Sequence, residues 1–242
     1  MSKILIITGG SKGIGKALAN HYSNNGYKVY SLSRTTSDSE IINQITVDLS
    51  NLNDSVVIFE NLIQKLKSTP IESITLINNA GRLGQIANLE HISPEEIHKS
   101  IVLNTTIPLS FSGIFIKELS SINCLKQIIT ISSGAAKKAY PGWSVYCSSK
   151  AAIDLMTATI AQEQEYVDNP TKAFGIRPGV VDTNMQSQIR TTNSSDFRNV
   201  QRFIDLKENK ELYTPEYVAS KIFELDTKGS LKNGLTVDLR DL

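Results

Sequence analysis

Short β-branched runs and helix-spaced apolar stripes alternate along this chain. Residues 3–8 form a β-branched run that ends in glycine, an amphipathic stretch follows over 14–22, and Gly26 is placed to stop it. That order predicts strand, turn and helix. Further strands are expected at 28–34, 42–49, 73–77, 127–131, 173–176 and 235–239. Leu52, Val56, Phe59, Ile63 and Leu66 recur at steps of four and three, the stripe of a helix laid against a sheet. Ser93-Pro94-Glu95-Glu96 has the form of a capping box with proline at the first helical position. A helix is therefore expected from there to about residue 119, broken or kinked at Pro108. Other helices are expected over 145–166 and from Pro215, where Val218, Ile222 and Leu225 share a stripe. This alternation predicts an α/β fold, one doubly wound, seven-stranded parallel sheet with helices on both faces, in a single domain over 1–242. Residues 182–213 depart from the pattern, being polar, weakly periodic and long for a connection. A lid over 183–213 and an exposed helical insertion both fit.

Composition narrows the setting. With 242 residues, 40% hydrophobic and 20% charged, the chain can bury a sizeable core. A net charge of +1 gives no electrostatic reason to expect nucleic acid or a membrane surface as partner. No stretch approaches the length of a membrane span, and the first apolar run is too short for a signal peptide. Cys124 and Cys147 lack metal or disulfide spacing, so a reducing, cytoplasmic location is expected. His21, His91 and His98 show no metal spacing either, and no metal is predicted.

Candidate chemistry begins at Thr8-Gly9-Gly10-Ser11-Lys12-Gly13-Ile14-Gly15, between the first strand and the first helix. Backbone amides and a helix N-terminus there can hold a pyrophosphate, as in Rossmann-type sites. Gly9, Gly13 and Gly15 permit the turn, the approach of phosphate and the packing of helix on strand. After the second strand, where an acid would suit the ribose of NAD, stand Ser33 and Arg34. With Lys12 they could bind a 2′-phosphate, so NADP(H) is expected; a solvated surface arginine is the plainer reading. Asp48 could accept from an adenine amino group or merely cap its strand. Tyr146 and Lys150 lie four apart at the start of a predicted helix, one turn from each other on one face. Lowering a phenol's pKa by about three units takes roughly 4 kcal/mol, and a fixed cation can supply much of it.

Taken together, the glycine turn, Asn78-Asn79-Ala80-Gly81, Asn104, Ser133 thirteen residues before Tyr146, Lys150, and Pro178-Gly179 with Thr183 resemble a short-chain dehydrogenase/reductase from end to end. That resemblance implies a catalytic set of Asn104, Ser133, Tyr146 and Lys150. Tyr146 would protonate the substrate oxygen, Lys150 would lower the phenol's pKa, Ser133 would hydrogen-bond the carbonyl, and Asn104 would hold a water or cap a helix distortion. Strand alternation lets only one of Ser132 and Ser133 face inward. Implied cofactor contacts are Gly9, Ser11, Lys12, Gly13, Ile14, Gly15, Ser33, Arg34, Asp48, Leu49, Asn79, Ala80, Gly81, Tyr146, Lys150, Pro178, Gly179, Val181 and Thr183.

Within that family, the stretches 133–136, 142–152 and 179–186 are similar to sepiapterin reductases and bacterial benzil reductases. The likeness implies NADPH-dependent reduction of a small-molecule carbonyl, a ketone or vicinal diketone, by a homodimer or homotetramer. Asp238 is then a candidate substrate anchor or a strand-end cap, and Trp143 walls the pocket or packs its loop. With Ser133 and Tyr146, these two make up the implied substrate contacts. The alternatives are a 3-oxoacyl-thioester reductase and a non-catalytic NADP-sensing protein on the same fold.

Overall fold

Strands β1 (Ser2–Thr8), β2 (Lys28–Ser33), β3 (Asn43–Thr46), β4 (Ile71–Asn78), β5 (Leu125–Ile131), β6 (Thr171–Arg177) and β7 (Thr236–Asp238) build one sheet in the computed structural model, which describes residues 1–36, 39 and 41–242. Every pairing is parallel, in the order β3-β2-β1-β4-β5-β6-β7. The order reverses between β1 and β4, which opens a crevice at the C-terminal ends of those strands. Around the sheet lie α1 (Gly13–Asn24), α2 (Leu52–Lys67), α3 (Pro94–Ile101), α4 (Ile107–Leu119), α5 (Ser144–Glu163), α6 (Asn184–Arg190), α7 (Val200–Glu208) and α8 (Pro215–Thr227).

Alternation along β1 sends Ile4 and Ile6 to one face, against Phe59, Phe111 and Phe115, and Leu5 and Ile7 to the other, against Leu18, Tyr22, Val218 and Ile222. Both faces are covered, so the strand reads as an unbroken apolar run. The predicted cap at Ser93 forms, its Oγ accepting from the Glu96 N–H at 3.3 Å, and at the start of α8 Thr214 Oγ1 accepts from the Tyr217 N–H at 3.1 Å.

Pro108 does not break its helix. Val102–Thr106 is a π turn joining α3 to α4, and Pro108 follows at the second position of α4. The wider turn has already shifted the hydrogen-bond ladder where the proline N–H is missing. The continuous run Pro94–Leu119 is thus 26 residues long, with a mean hydropathy of 1.2 over its most apolar window. It is long enough to cross a membrane, contrary to the reading that no stretch approaches that length. Its apolar side is taken up by the core, where Phe111 stacks on Phe59 of α2 at 4.0 Å between ring centroids.

Within 182–213, α6 and α7 are helical and the rest is turn or extended chain. Ile189 on α6, Phe197, and Val200 and Phe203 on α7 bury their side chains against Trp143 and Tyr146.

At the far end of the sheet, Tyr22 Oη donates to Asp226 Oδ2 at 2.7 Å, and Gln127 Nε2 donates to Oδ1. Burial, opposed by these bonds and by Thr75, pushes the Asp226 carboxyl up to about 6. The native state therefore favours the protonated acid over the ionised one. The associated stability, on the order of 3 kcal/mol, is complete below about pH 4 and is lost as pH rises through about 6. Urea unfolding of wild type and Asp226→Asn at both ends of that window should show their difference shifting against the wild type by about this amount. A pH-independent difference would refute it.

Candidate active site

Thr8 ends β1 at the crevice. Its hydroxyl accepts from the N–H groups of Asn79 and Ala80, both at 3.0 Å, and Asn79 Nδ2 donates to the carbonyls of Thr8 and Gly9. Asn79 thus ties the loop after β4 to the glycine turn. Gly9 and Gly13 hold positive φ, +70° and +52°, and a methyl group on Gly15 would lie 2.1 Å from the Gly9 carbonyl oxygen. The turn closes on itself and delivers the N-terminus of α1 to the crevice mouth, where Lys12 and Arg34 are exposed and Ser11 and Ile14 half-buried. Ser33 differs from expectation. Its hydroxyl is buried and donates to the Thr35 carbonyl at 2.8 Å, so it holds the loop after β2. Asp48 likewise serves its own chain: its carboxylate accepts from the backbone and hydroxyl of Ser50, and these bonds hold it below the usual carboxylate range. Leu49 beside it is buried.

Helix α5 lines up Tyr146, Lys150 and Asp154 on one face. Lys150 Nζ donates to the Ile131 carbonyl at 2.8 Å and lies 5.8 Å from the Tyr146 ring centroid. A methyl group on Gly81 would sit 3.6 Å from that Nζ and 3.4 Å from Asn104 Oδ1, so the loop after β4 runs close to both the lysine and the π turn. Asn104 is fully buried in the π turn; its amide accepts from the Arg82 N–H and donates to the Arg82 carbonyl and to Ser149 Oγ. The side chain therefore braces the distortion. Pro108 has no N–H to return to the Asn104 carbonyl four residues earlier.

The two serines after β5 divide as alternation requires. Ser132 Oγ donates to Asp154 at 2.6 Å, while Ser133 turns to the Tyr146 side and accepts from the Ala135 N–H. The phenol's electrostatics differ from the sequence expectation. Burial pushes Tyr146 up, and the neighbouring Ser133 hydroxyl, rather than Lys150, is what pulls it down. Lys150 is lowered to about 8 by burial, with Asp154 opposing.

On the substrate side, Trp143 is buried in an aromatic cluster, stacked on Phe197 at 4.5 Å and edge-on to Tyr146 at 5.7 Å. It packs the segment carrying α6 and α7 onto the start of α5. At Asp238 the strand-end cap is what forms: its carboxylate accepts from Arg240 through the backbone N–H, Nε and Nη2. Arg240, which sequence reasoning passed over, reaches the loops after β5 and β6, with Nη2 3.6 Å from where a methyl on Gly134 would lie. Met185, at the start of α6, places its sulfur 3.9 Å from the Tyr146 hydroxyl. Gly179, after Pro178, has φ +78° with the Tyr213 ring against it, Val181 is buried and bridged to Tyr213, and the Thr183 methyl faces Gly13. That last approach sets the glycine turn beside the start of α6.

A family model described as short chain dehydrogenase matches residues 3–194. Benzil reductase ((S)-benzoin forming) of Bacillus subtilis is 39% identical over 241 residues, covering 99% of each chain. Sepiapterin reductase of Xenopus laevis is 24% identical over 99% of this chain and 96% of its own. Among solved structures, a short chain dehydrogenase/reductase of Saccharomyces cerevisiae superposes with a TM-score of 0.83 at 26% identity, covering 98% of this chain and 96% of that one.

Proposed function

The chain belongs to the short-chain dehydrogenase family, and from that premise we propose that it is an NADPH-dependent carbonyl reductase acting on a ketone or vicinal diketone of the benzil kind. The observation that carries this reading is the meeting of Ser133, Tyr146 and Lys150 beside a glycine turn too tight for any side chain at Gly15. The turn fits a dinucleotide, because Gly9 and Gly13 leave its backbone open and α1 begins at Gly13. Gly9 to Gly15 would hold the pyrophosphate, and Pro178 to Thr183 would lie along the nicotinamide, whose bound reduced form supplies the hydride.

The remaining work falls to this chain's own side chains. Tyr146, kept protonated at neutral pH by burial, donates its proton to the carbonyl oxygen as that oxygen becomes a hydroxyl. Ser133 donates a hydrogen bond to the same oxygen as charge gathers there. Lys150, fixed by the Ile131 carbonyl, keeps a cation beside the phenol while proton leaves it. Trp143 shapes the substrate pocket from behind, through Tyr146 and Phe197. Ile116 of α4 packs against the cluster that α5 and β6 build from Ile153, Met156, Ile160, Ala161 and Ala173, and exposed Leu109 and Leu155 on α4 and α5 offer apolar surface to a second copy of the chain. The two free thiols, Cys124 and Cys147, suit a reducing cytoplasm.

The direct test is loss of NADPH absorbance with benzil. Binding of NADPH without reduction of benzil, an aliphatic diketone or a simple aryl ketone would leave a sensor as the better reading. Cofactor choice has its own test. Arg34→Asp should weaken NADPH by about 30-fold or more, since it replaces a phosphate-pairing cation with a repelling charge, while NADH changes by about threefold or less. Equal losses for the two would remove Arg34 from phosphate recognition.

A further inference from the structure

Asp154 stands one turn beyond Lys150 on the buried face of α5 and has no part in the chemistry described above. Its Oδ1 accepts from Ser132 Oγ at 2.6 Å and its Oδ2 is paired with Arg177 Nη2. Arg177 ends β6 with only 4% of its surface exposed, and its Nη1 donates to the Thr236 carbonyl of β7 at 3.3 Å. The Ser132 N–H in turn donates to the Ile176 carbonyl at 2.7 Å. One carboxylate therefore joins the catalytic helix to the ends of β5 and β6. It also fixes Ser132, which sets Ser133 facing the opposite way, and Ile131, just before it, supplies the carbonyl that holds Lys150.

Burying such a pair is not the way to gain stability. Packed apolar residues of similar volume are commonly as stable as a buried ion pair. A charged pair beside the catalytic lysine calls for another explanation. We propose that Asp154 is a positioning residue for the reaction: shared between Ser132 and Arg177, it sets the register of Ser133 and Lys150 and supplies the lysine's counter-charge. This rests on the reading of Lys150 as part of a hydride-transfer site.

The charged and titratable groups around Lys150 are few. Tyr146 and Asp154 share its helix, and Arg177 and then Asp238 lie behind Asp154 at the ends of β6 and β7. From the loop after β4, Arg82 turns its guanidinium to Glu96 of α3 at 2.6 Å. Asp154 is thus the one carboxylate acting directly on the lysine among the described residues.

Two variants give opposite signs. Asp154→Asn removes the negative charge, so the ammonium is less favoured and the alkaline limb of the kcat/KM profile for benzil reduction should move down by about one pH unit. Arg177→Gln leaves the carboxylate without its guanidinium, so its field on Lys150 grows and the limb should move up. NMR titration of isotope-labelled lysine Nζ in the protein without NADPH should show the same two directions. General damage to the fold would lower turnover in both without opposite displacements. Should Asp154→Asn not fold, the upward shift in Arg177→Gln alone decides. An unmoved limb and unmoved Nζ titration, or movement of both variants in one direction, would overturn the proposal. If wild type reduces no carbonyl, the enzyme reading fails first, while the Nζ titration still tests the counter-charge.

Discussion

Tyr146→Phe is expected to lower kcat for carbonyl reduction by about 10²–10⁴-fold, the usual worth of a positioned proton donor. NADPH affinity should stay within about twofold. The reasoning rests on how little else the hydroxyl does. Phe keeps the ring that meets Trp143 edge-on at 5.7 Å and lies under the Lys150 ammonium at 5.8 Å. The lost O–H touches Ser133 and, weakly, the Met185 sulfur. The variant should therefore unfold within about 1 kcal/mol of the wild type, so that lost activity cannot be ascribed to lost structure. Turnover within about threefold of wild type would remove Tyr146 from proton transfer.

Gly15→Ala should be nearly as damaging at a different step. Its methyl would sit 2.1 Å from the Gly9 carbonyl oxygen and 2.5 Å from Asn79 Nδ2. Both are held by the hydrogen bonds that close the turn, so the turn itself must open. NADPH binding should weaken by about 100-fold, roughly 3 kcal/mol, measured by fluorescence titration. Gly113→Ala is the matched control, because nothing lies within 4 Å of its added methyl. In mid-helix that change should stabilise by about 0.5–1 kcal/mol and leave binding alone. Equal binding by both variants would show that the turn tolerates a side chain.

The sequence made legible whatever depends on local spacing. Ser93 caps the helix it was expected to cap, the last helix starts at Pro215 as expected, and the Tyr146-Lys150 interval puts both on one helix face. The direction of the phenol's proton affinity was not legible, since it depends on how completely tertiary packing buries Tyr146. Ser132 and Ser133 could be separated by alternation alone, yet which faced inward waited on Asp154 as a partner. For Asp238 the sequence left anchor and cap open, because the partner that marks it as a cap, Arg240, has no motif of its own. The buried apolar residues of 182–213, Ile189, Phe197, Val200 and Phe203, are spaced by two short helices and a turn, so no single period marks them. Pro108 suggested a break because the π turn that accommodates it has no pattern in the sequence.

Trp143 is the only tryptophan in the chain. It lies between Phe197 and the ring of Tyr146, and its indole N–H is buried with no acceptor among the described residues. Emission excited selectively at this indole therefore comes from one place, the seam between α5 and the segment that carries α6 and α7. Loosening of that segment would let water reach the N–H and move the emission to the red. A reduced nicotinamide in the crevice would quench it by energy transfer. The protein thus carries its own optical reporter of the packing at this seam, readable without a label.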